Sequence, residues 1–320
     1  MLDGERSAGD AIQRMAHLAG VGRDELTKRL AALETQVEEA LAGQEDQSRA
    51  ALLMWHSLDG MLQAYAQVRR WLDWEALVPH GQPLSALSLL ALYRLWWRVE
   101  ATGLERIPGS GPVVLVANRA GTPLPYDAFM LAVALAVDHP AARRARPLVE
   151  RWMLRLPVAG AALSALGAEP ATVARLRRLL AADEAAIVFP EGREAVGRPF
   201  DRRYRLARFG HTPLLRAAVE AGASIVPVAV VGSEEAQPVW RLERPVRAFG
   251  LPSFPVTPTL VPLPTKWRLH VGVPLETSGR SAAGRARDAR QIAQLSTQLR
   301  ERLQGLVSEA VGRRRGLFFA

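Results

Sequence analysis

Residues 225–231 read Ile-Val-Pro-Val-Ala-Val-Val, a run without a single polar side chain. Successive side chains of a strand point to opposite faces, so a run that is apolar throughout must be covered on both. Such a strand belongs in the middle of a sheet layered between helices. Ile187 to Phe189 has the same texture, Val113 to Ala117 is dense in β-branched residues, and Arg268 to Val271 reads as a further strand. Helical runs separate them at Ala128 to Val137, Val173 to Ala182 and Pro213 to Ala221. The last helix carries its own punctuation, with Thr212 at the N-cap position, Pro213 at the first helical position and Gly222 just past the end. This alternation predicts an α/β fold with a largely parallel central sheet flanked by helices.

The two ends of the chain differ in pattern. Leu26, Leu30, Leu33, Val37 and Leu41 recur at helical spacing, and a second helical stretch, Leu52 to Trp74, ends before Pro79, Gly81 and Pro83. A helical N-terminal extension is therefore expected at 1–80, an α/β domain at 81–278, and a C-terminal helix with a basic tail at 279–320. In that last part Ile292, Leu295, Leu299, Leu303 and Leu306 share one helix face ahead of Arg313, Arg314 and Arg315. Where the α/β domain opens, Leu84 to Tyr93 is apolar and Arg94, Trp96, Trp97 and Arg98 follow. That composition suits a segment lying at a membrane interface, and it suits a buried core helix equally in kind. Neither this stretch nor Ala128 to Val137 reaches the roughly 20 residues that span a bilayer. The N-terminus lacks the apolar region of a signal peptide. The expectation is a protein that is soluble or lies on a membrane.

The net charge is +9, with a pI of about 10.9, carried by arginine, since Lys28 and Lys266 are the only lysines. Such a surface favours a polyanion, an anionic membrane or a phosphorylated substrate. Zinc-finger spacing, heptads behind a basic region and RNP aromatics are all missing, so nucleic acid is not an expected partner. Without cysteine there is no disulfide and no thiolate chemistry. His17, His56, His80, His139, His211 and His270 never fall at metal-ligand spacing, so no metal is expected.

In open α/β sheets ligands bind outside the carboxyl ends of the strands. Two loops leave strands there with polar residues. The first runs from Asn118 to Asp127 through Arg119, Gly121, Pro123 and Pro125. The second follows Phe189, Pro190, Glu191 and Gly192 and carries Arg193, Arg198, Arg202, Arg203, Arg205 and Arg208 against Glu194 and Asp201. A glycine beside guanidinium groups suits a phosphate site, and a solvated basic segment has the same composition. No Gly-x-Ser-x-Gly elbow, no P-loop and no complete dinucleotide fingerprint is present.

From about residue 95 to 275 the chain resembles the PlsC-type lysophospholipid and glycerolipid acyltransferases, most closely a bacterial branch with diacylglycerol-acyltransferase-like features. The resemblance rests on "VVLVANRAGTPLPYDAFML", "LPVAGAALSALGA", "VFPEGREAVGRPFDRRYRLARFG", "GASIVPVAVVGSEEA" and the late "LPSFPVTP" with "LPTKWRLHVGVPLE". It implies the glycerolipid acyltransferase fold and acyl transfer from acyl-CoA or acyl carrier protein to a lysophospholipid or other glycerolipid hydroxyl. It further implies a cytoplasmic protein, peripheral on the inner face of the membrane, with no cofactor beyond the acyl donor. In the family an Asn-His pair opens the first block, and an aspartate follows. The histidine takes the hydroxyl proton and the aspartate steadies its charge. Carried onto this chain, Asn118 and Asp127 keep their places, whereas Arg119 stands at the histidine position. Seven residues separate Arg119 from Asp127, where the family usually has four. The Phe-Pro-Glu-Gly block implies phosphate or headgroup binding for Glu191, Gly192 and Arg193, with Arg198 close behind in the same cluster, and Pro227 matches the block lining the acyl-side pocket.

Arginine stays protonated and cannot act as a general base. Three accounts of Arg119 follow. It could pair with Asp127 in a degenerate protein that binds lipid, CoA or a partner without catalysis. The base could come from elsewhere, with His211 of "RFGHTP" or Asp127 itself as candidates. Or Arg119 could stabilise the thioester oxyanion while catalysis rests on positioning.

Overall fold

The computed structural model describes Lys28 and residues 89–316, apart from 121, 123, 156–158, 197, 211, 243–253, 257–261, 276, 278–288 and 315. The helical extension expected at 1–80 and the candidate base His211 thus lie outside the described residues, Lys28 excepted. The described strands are β1 (Glu100–Thr102), β2 (Val113–Ala117), β3 (Ala145–Val149), β4 (Glu169–Pro170), β5 (Ala185–Val188), β6 (Ser224–Val231), β7 (Trp240–Leu242), β8 (Phe254–Val256) and β9 (Arg268–Val271). The helices that frame them are α1 (Tyr126–Val137), α2 (Arg151–Leu154), α3 (Ala159–Ala165), α4 (Val173–Ala181), α5 (Thr212–Glu220), α6 (Ser233–Ala236) and α7 (Ala289–Gly312).

Seven strands form one sheet in the order β1-β9-β6-β2-β5-β3-β4, and β7 with β8 makes a separate antiparallel ribbon. Within the large sheet every neighbouring pair is parallel except β6 with β9. The pattern follows from the all-apolar strands: Leu115 of β2 stands opposite Ile187 of β5 and Val226 of β6. On one face Leu115, Ala117, Val226 and Val228 pack with Met130, Leu131 and Leu135 of α1. On the other, Val114, Val116, Ile225 and Ala229 pack with Leu176 and Leu180 of α4, Leu214 of α5 and Leu299, Leu303 and Val307 of α7. The C-terminal helix is therefore one wall of the same core and not an appendage to it.

The tryptophans at the head of the domain turn inward. Trp97 is fully buried, stacks on Trp267 with ring centroids 4.4 Å apart, and donates its Nε1–H to the Leu263 carbonyl at 3.1 Å. Trp96 donates to the Pro262 carbonyl at 2.9 Å. The interfacial reading of these indoles is corrected: their N–H groups serve the protein's own backbone, which is what buried indoles require. Among the described residues no helix is long and apolar enough to cross a membrane.

Candidate active site

Strands β6, β2, β5 and β3 lie side by side and run the same way, so their carboxyl ends meet at one edge of the sheet. Each gives way to a charged residue there: Glu234 after β6, Arg119 after β2, Glu191 after β5 and Glu150 after β3. This is the edge at which an α/β sheet binds its ligands.

Asn118 ends β2 and finishes the sheet with its side chain. Its amide donates to the Val230 carbonyl at 2.8 Å and its Oδ1 accepts from the Val230 N–H at 2.7 Å. A fully buried amide spent on two backbone groups of β6 extends the ladder by one side chain. Asn118, expected among the catalytic groups, thus sits in the scaffold, one residue from the cleft.

Arg119 is 3% exposed. Its backbone N–H donates to Glu191 Oε1 at 3.1 Å, and its Nη2 donates to the Thr122 carbonyl at 3.1 Å and approaches Met153 Sδ at 3.9 Å. The guanidinium lies over the Phe189 ring, 5.7 Å from its centroid. Its buried Nε has no hydrogen-bond acceptor. The ion pair with Asp127, one of the three accounts of Arg119, does not form, although the two charges act on one another. Asp127 Oδ2 instead accepts from the Ala120 N–H at 2.8 Å and Oδ1 from the Ala128 N–H at 2.9 Å. Asp127 lies in the first turn of α1, which begins at Tyr126 with Pro125 as its cap. Its carboxylate ties the loop that carries Arg119 to that helix end.

Glu191 and Arg198 form the second layer. Arg198 reaches Glu191 through Nη2, Glu234 Oε1 through Nη1 at 3.1 Å, and the Arg119 carbonyl at 3.2 Å. Glu191 Oε2 also accepts from the Ala207 N–H at 2.7 Å. The sequence places Glu191 and Arg198 at a phosphate or headgroup. Both are buried and spend their charge on one another and on loop backbone. Gly192, at φ 58°, turns the chain behind Glu191, and its N–H is taken by the Phe189 carbonyl at 3.1 Å. Arg193 is exposed and lies 3.8 Å from Glu150 Oε2. Pro227 sits within β6 on the α7 side, where a Cβ on Gly272 would stand 3.0 Å from its Cγ. It is not among the residues lining the cleft at Arg119.

That small open cleft is lined by Arg119, Glu150, Phe189 and Gly192 at the polar end and by Leu148, Val188 and Leu214 behind them. Burial pushes the Asp127 and Glu191 carboxyls up, against the pull of Arg119 and Arg198 respectively. Burial pushes the Arg119 guanidinium down, opposed by the charges of Asp127, Glu150 and Glu191. Glu234 is raised to about 7, again chiefly by burial. Neither His139, held at Ile107, nor His270, held at Thr102, lines the cleft. Among the described residues no group of histidines and carboxylates is arranged to hold a metal.

The sequence pattern misses Glu150, Glu234, Glu235 and Tyr204. Tyr204 donates through its hydroxyl to Glu235 and accepts from the Gly232 N–H at 2.7 Å, while Arg314 from the tail reaches Glu235 at 2.7 Å. Glu234 could have been found as Arg119 was, as a charged residue within three positions of an apolar strand's end, whereas Glu150 follows a strand that opens on polar and proline positions.

Residues 98–231 match the family described as Acyltransferase. An uncharacterised protein of Mycobacterium leprae is 41% identical over 236 residues, which is 71% of this chain and 64% of that protein, less than two thirds of its length. One from Mycobacterium tuberculosis is 39% identical over 251 residues, 75% of this chain and 70% of that protein. The crystal structure of the 1-acyl-sn-glycerophosphate (LPA) acyltransferase PlsC from Thermotoga maritima aligns with a TM-score of 0.45 at 19% identity, covering 72% of this chain and 79% of that one. The matched stretch takes in β2, β5, β6, Arg119, Glu150 and Glu191, the parts that build the cleft, and the chain belongs to the acyltransferase family.

Proposed function

We propose that the protein transfers an acyl group from acyl-CoA or acyl carrier protein to a hydroxyl of a lysophospholipid or another glycerolipid at a membrane surface. The observation that carries this reading is Arg119, which stands where the family motif has its histidine, with a buried Nε–H that has no acceptor. A fixed cation with an unspent N–H is suited to the oxygen of a thioester as it gains negative charge. Glu191 and Thr122 hold the arginine in place, so little reorganisation accompanies the step. Asp127 shapes the loop and does not take the proton. Exposed Arg193, Arg202, Arg205 and Arg208, on a chain of net charge +9, support contact with anionic lipid.

A second reading, a lipid- or CoA-binding protein without catalysis, is favoured by the engagement of both Asp127 oxygens with backbone N–H groups. One experiment separates the two. Purified protein is incubated with long-chain acyl-CoA and, in turn, lysophospholipids, monoacylglycerol and diacylglycerol, with free CoA followed over time. Acceptor-dependent CoA release is the expected result. Free thiol formed no faster than the blank with every acceptor, CoA from acyl-CoA or the unacylated carrier from acyl carrier protein, leaves only the binding reading. Co-sedimentation with anionic liposomes at low salt, lost at high salt, is the matching expectation for the membrane.

A further inference from the structure

Acyl transfer to a hydroxyl needs a group that accepts the hydroxyl proton, and a guanidinium cannot. The carboxylates at this edge of the sheet differ in exposure. Asp127, Glu191 and Glu234 are at most 4% exposed, and all are engaged by backbone N–H groups, with Arg198 added at the latter two. Their oxygens are turned into the scaffold. Glu150 is different in place: it follows β3 directly, lines the same cleft as Arg119 and Gly192, and keeps 19% of its side chain exposed. Its backbone is extended, at φ −61° and ψ 139°, between the strand and α2.

We propose that Glu150 is the general base of this acyltransferase, an assignment that rests on the acyl-transfer reading above. The acceptor hydroxyl gives its proton to a Glu150 carboxylate oxygen as its own oxygen attacks the thioester carbonyl carbon. The carbonyl oxygen takes up the negative charge against Arg119. When the carbon–sulfur bond breaks, the electron pair leaves with sulfur, and the proton passes from Glu150 to that thiolate. The products are an ester and free CoA, and Glu150 ends as the carboxylate it began as. Arg119 lies within electrostatic range of Glu150 and Arg193 lies 3.8 Å from it, so the carboxylate stands between two cations at the cleft.

The test uses the full chain with the acceptor that supports CoA release, comparing wild type, Glu150→Gln, Glu150→Asp and His211→Ala. The expected result is a fall in kcat of about a hundredfold to ten-thousandfold in Glu150→Gln, the range of general-base help, with KM for acyl-CoA little changed. Glu150→Asp should recover part of the rate, and the acidic limb of the kcat/KM profile should vanish in Glu150→Gln. Thermal unfolding of each variant shows whether the fold is kept. A Glu150→Gln variant within threefold of wild type, or a comparable fall in His211→Ala with Glu150→Gln active, overturns the assignment while acyl transfer stands. No CoA release from wild type overturns both. Should Glu150→Gln fail to fold, wild type and Glu150→Asp decide through the acidic limb, which must move between them.

Discussion

Replacing Arg198 by methionine isolates the charge network behind the cleft. The side chain is 5% exposed and meets Glu191 and Glu234, whose side chains are 0% and 3% exposed. Removing one partner of a buried pair costs about 3–5 kcal/mol, because it strands the other charge. Here two carboxylates are stranded together, and the Arg119 carbonyl loses a donor as well, worth roughly 1 kcal/mol more. The total, about 4–6 kcal/mol, compares with a typical domain stability of 5–15 kcal/mol. Burial already raises both carboxyls, and without the guanidinium they rise further. The variant's deficit should therefore grow from pH 5 to pH 8, as the two groups give up their protons. Urea denaturation at both pH values, read through the buried Trp97 and Trp267 fluorescence, measures it. A deficit under about 1 kcal/mol at pH 8, or one that is the same at pH 5, refutes the reasoning, since a stranded charge must cost more when ionised.

Asn118→Ala leaves the Val230 N–H and C=O without partners in a buried site, so a loss of about 2–5 kcal/mol is expected in the same denaturation assay; a drop in kcat at unchanged stability would instead point to chemistry. Glu234 is raised from 4.5 to about 7, so the folded state binds its proton more tightly than the unfolded chain. Its contribution is full below about pH 4.5 and is lost as pH rises through 7, and Glu234→Gln should flatten the stability–pH curve across that window. Gly232 has φ 101°, and a Cβ there would collide with the Lys266 carbonyl and stand 2.9 Å from Trp267 Cα. Gly232→Ala should cost about 1–3 kcal/mol or more, checked by thermal unfolding.

The fold was legible wherever pattern and burial coincide. Strands β2, β5, β6 and β9 and helices α1, α4 and α5 fall within a few residues of their expected bounds, because strands apolar on both faces and helices with capping residues leave little freedom. Strands β1, Glu-Ala-Thr, and β3, Ala-Arg-Pro-Leu-Val, escape the pattern. One is too short to show a period, and the other opens on polar and proline positions before its buried end. Among site residues, Arg119 follows β2 and lines the cleft. Asn118, Asp127, Glu191 and Arg198 keep their places but differ in what their atoms touch. Spacing cannot say whether a charge faces a substrate or another charge from a distant loop: Arg198 and Glu234 meet across 36 positions of sequence. The tryptophan–arginine segment fails for a related reason. Indole beside guanidinium fits headgroups and folded cores alike, and only the Leu263 and Pro262 carbonyls decide between them.

Arg119 as the donor to the thioester oxygen is tested most directly by the CoA-release rate of Arg119→Ala against wild type, each shown to be folded, with long-chain acyl-CoA and the best acceptor. Loss of one such donor typically lowers kcat about a hundredfold to a thousandfold. The expected result is a fall of that size with KM for acyl-CoA nearly unchanged. A folded Arg119→Ala protein that turns over at the wild-type rate would contradict it.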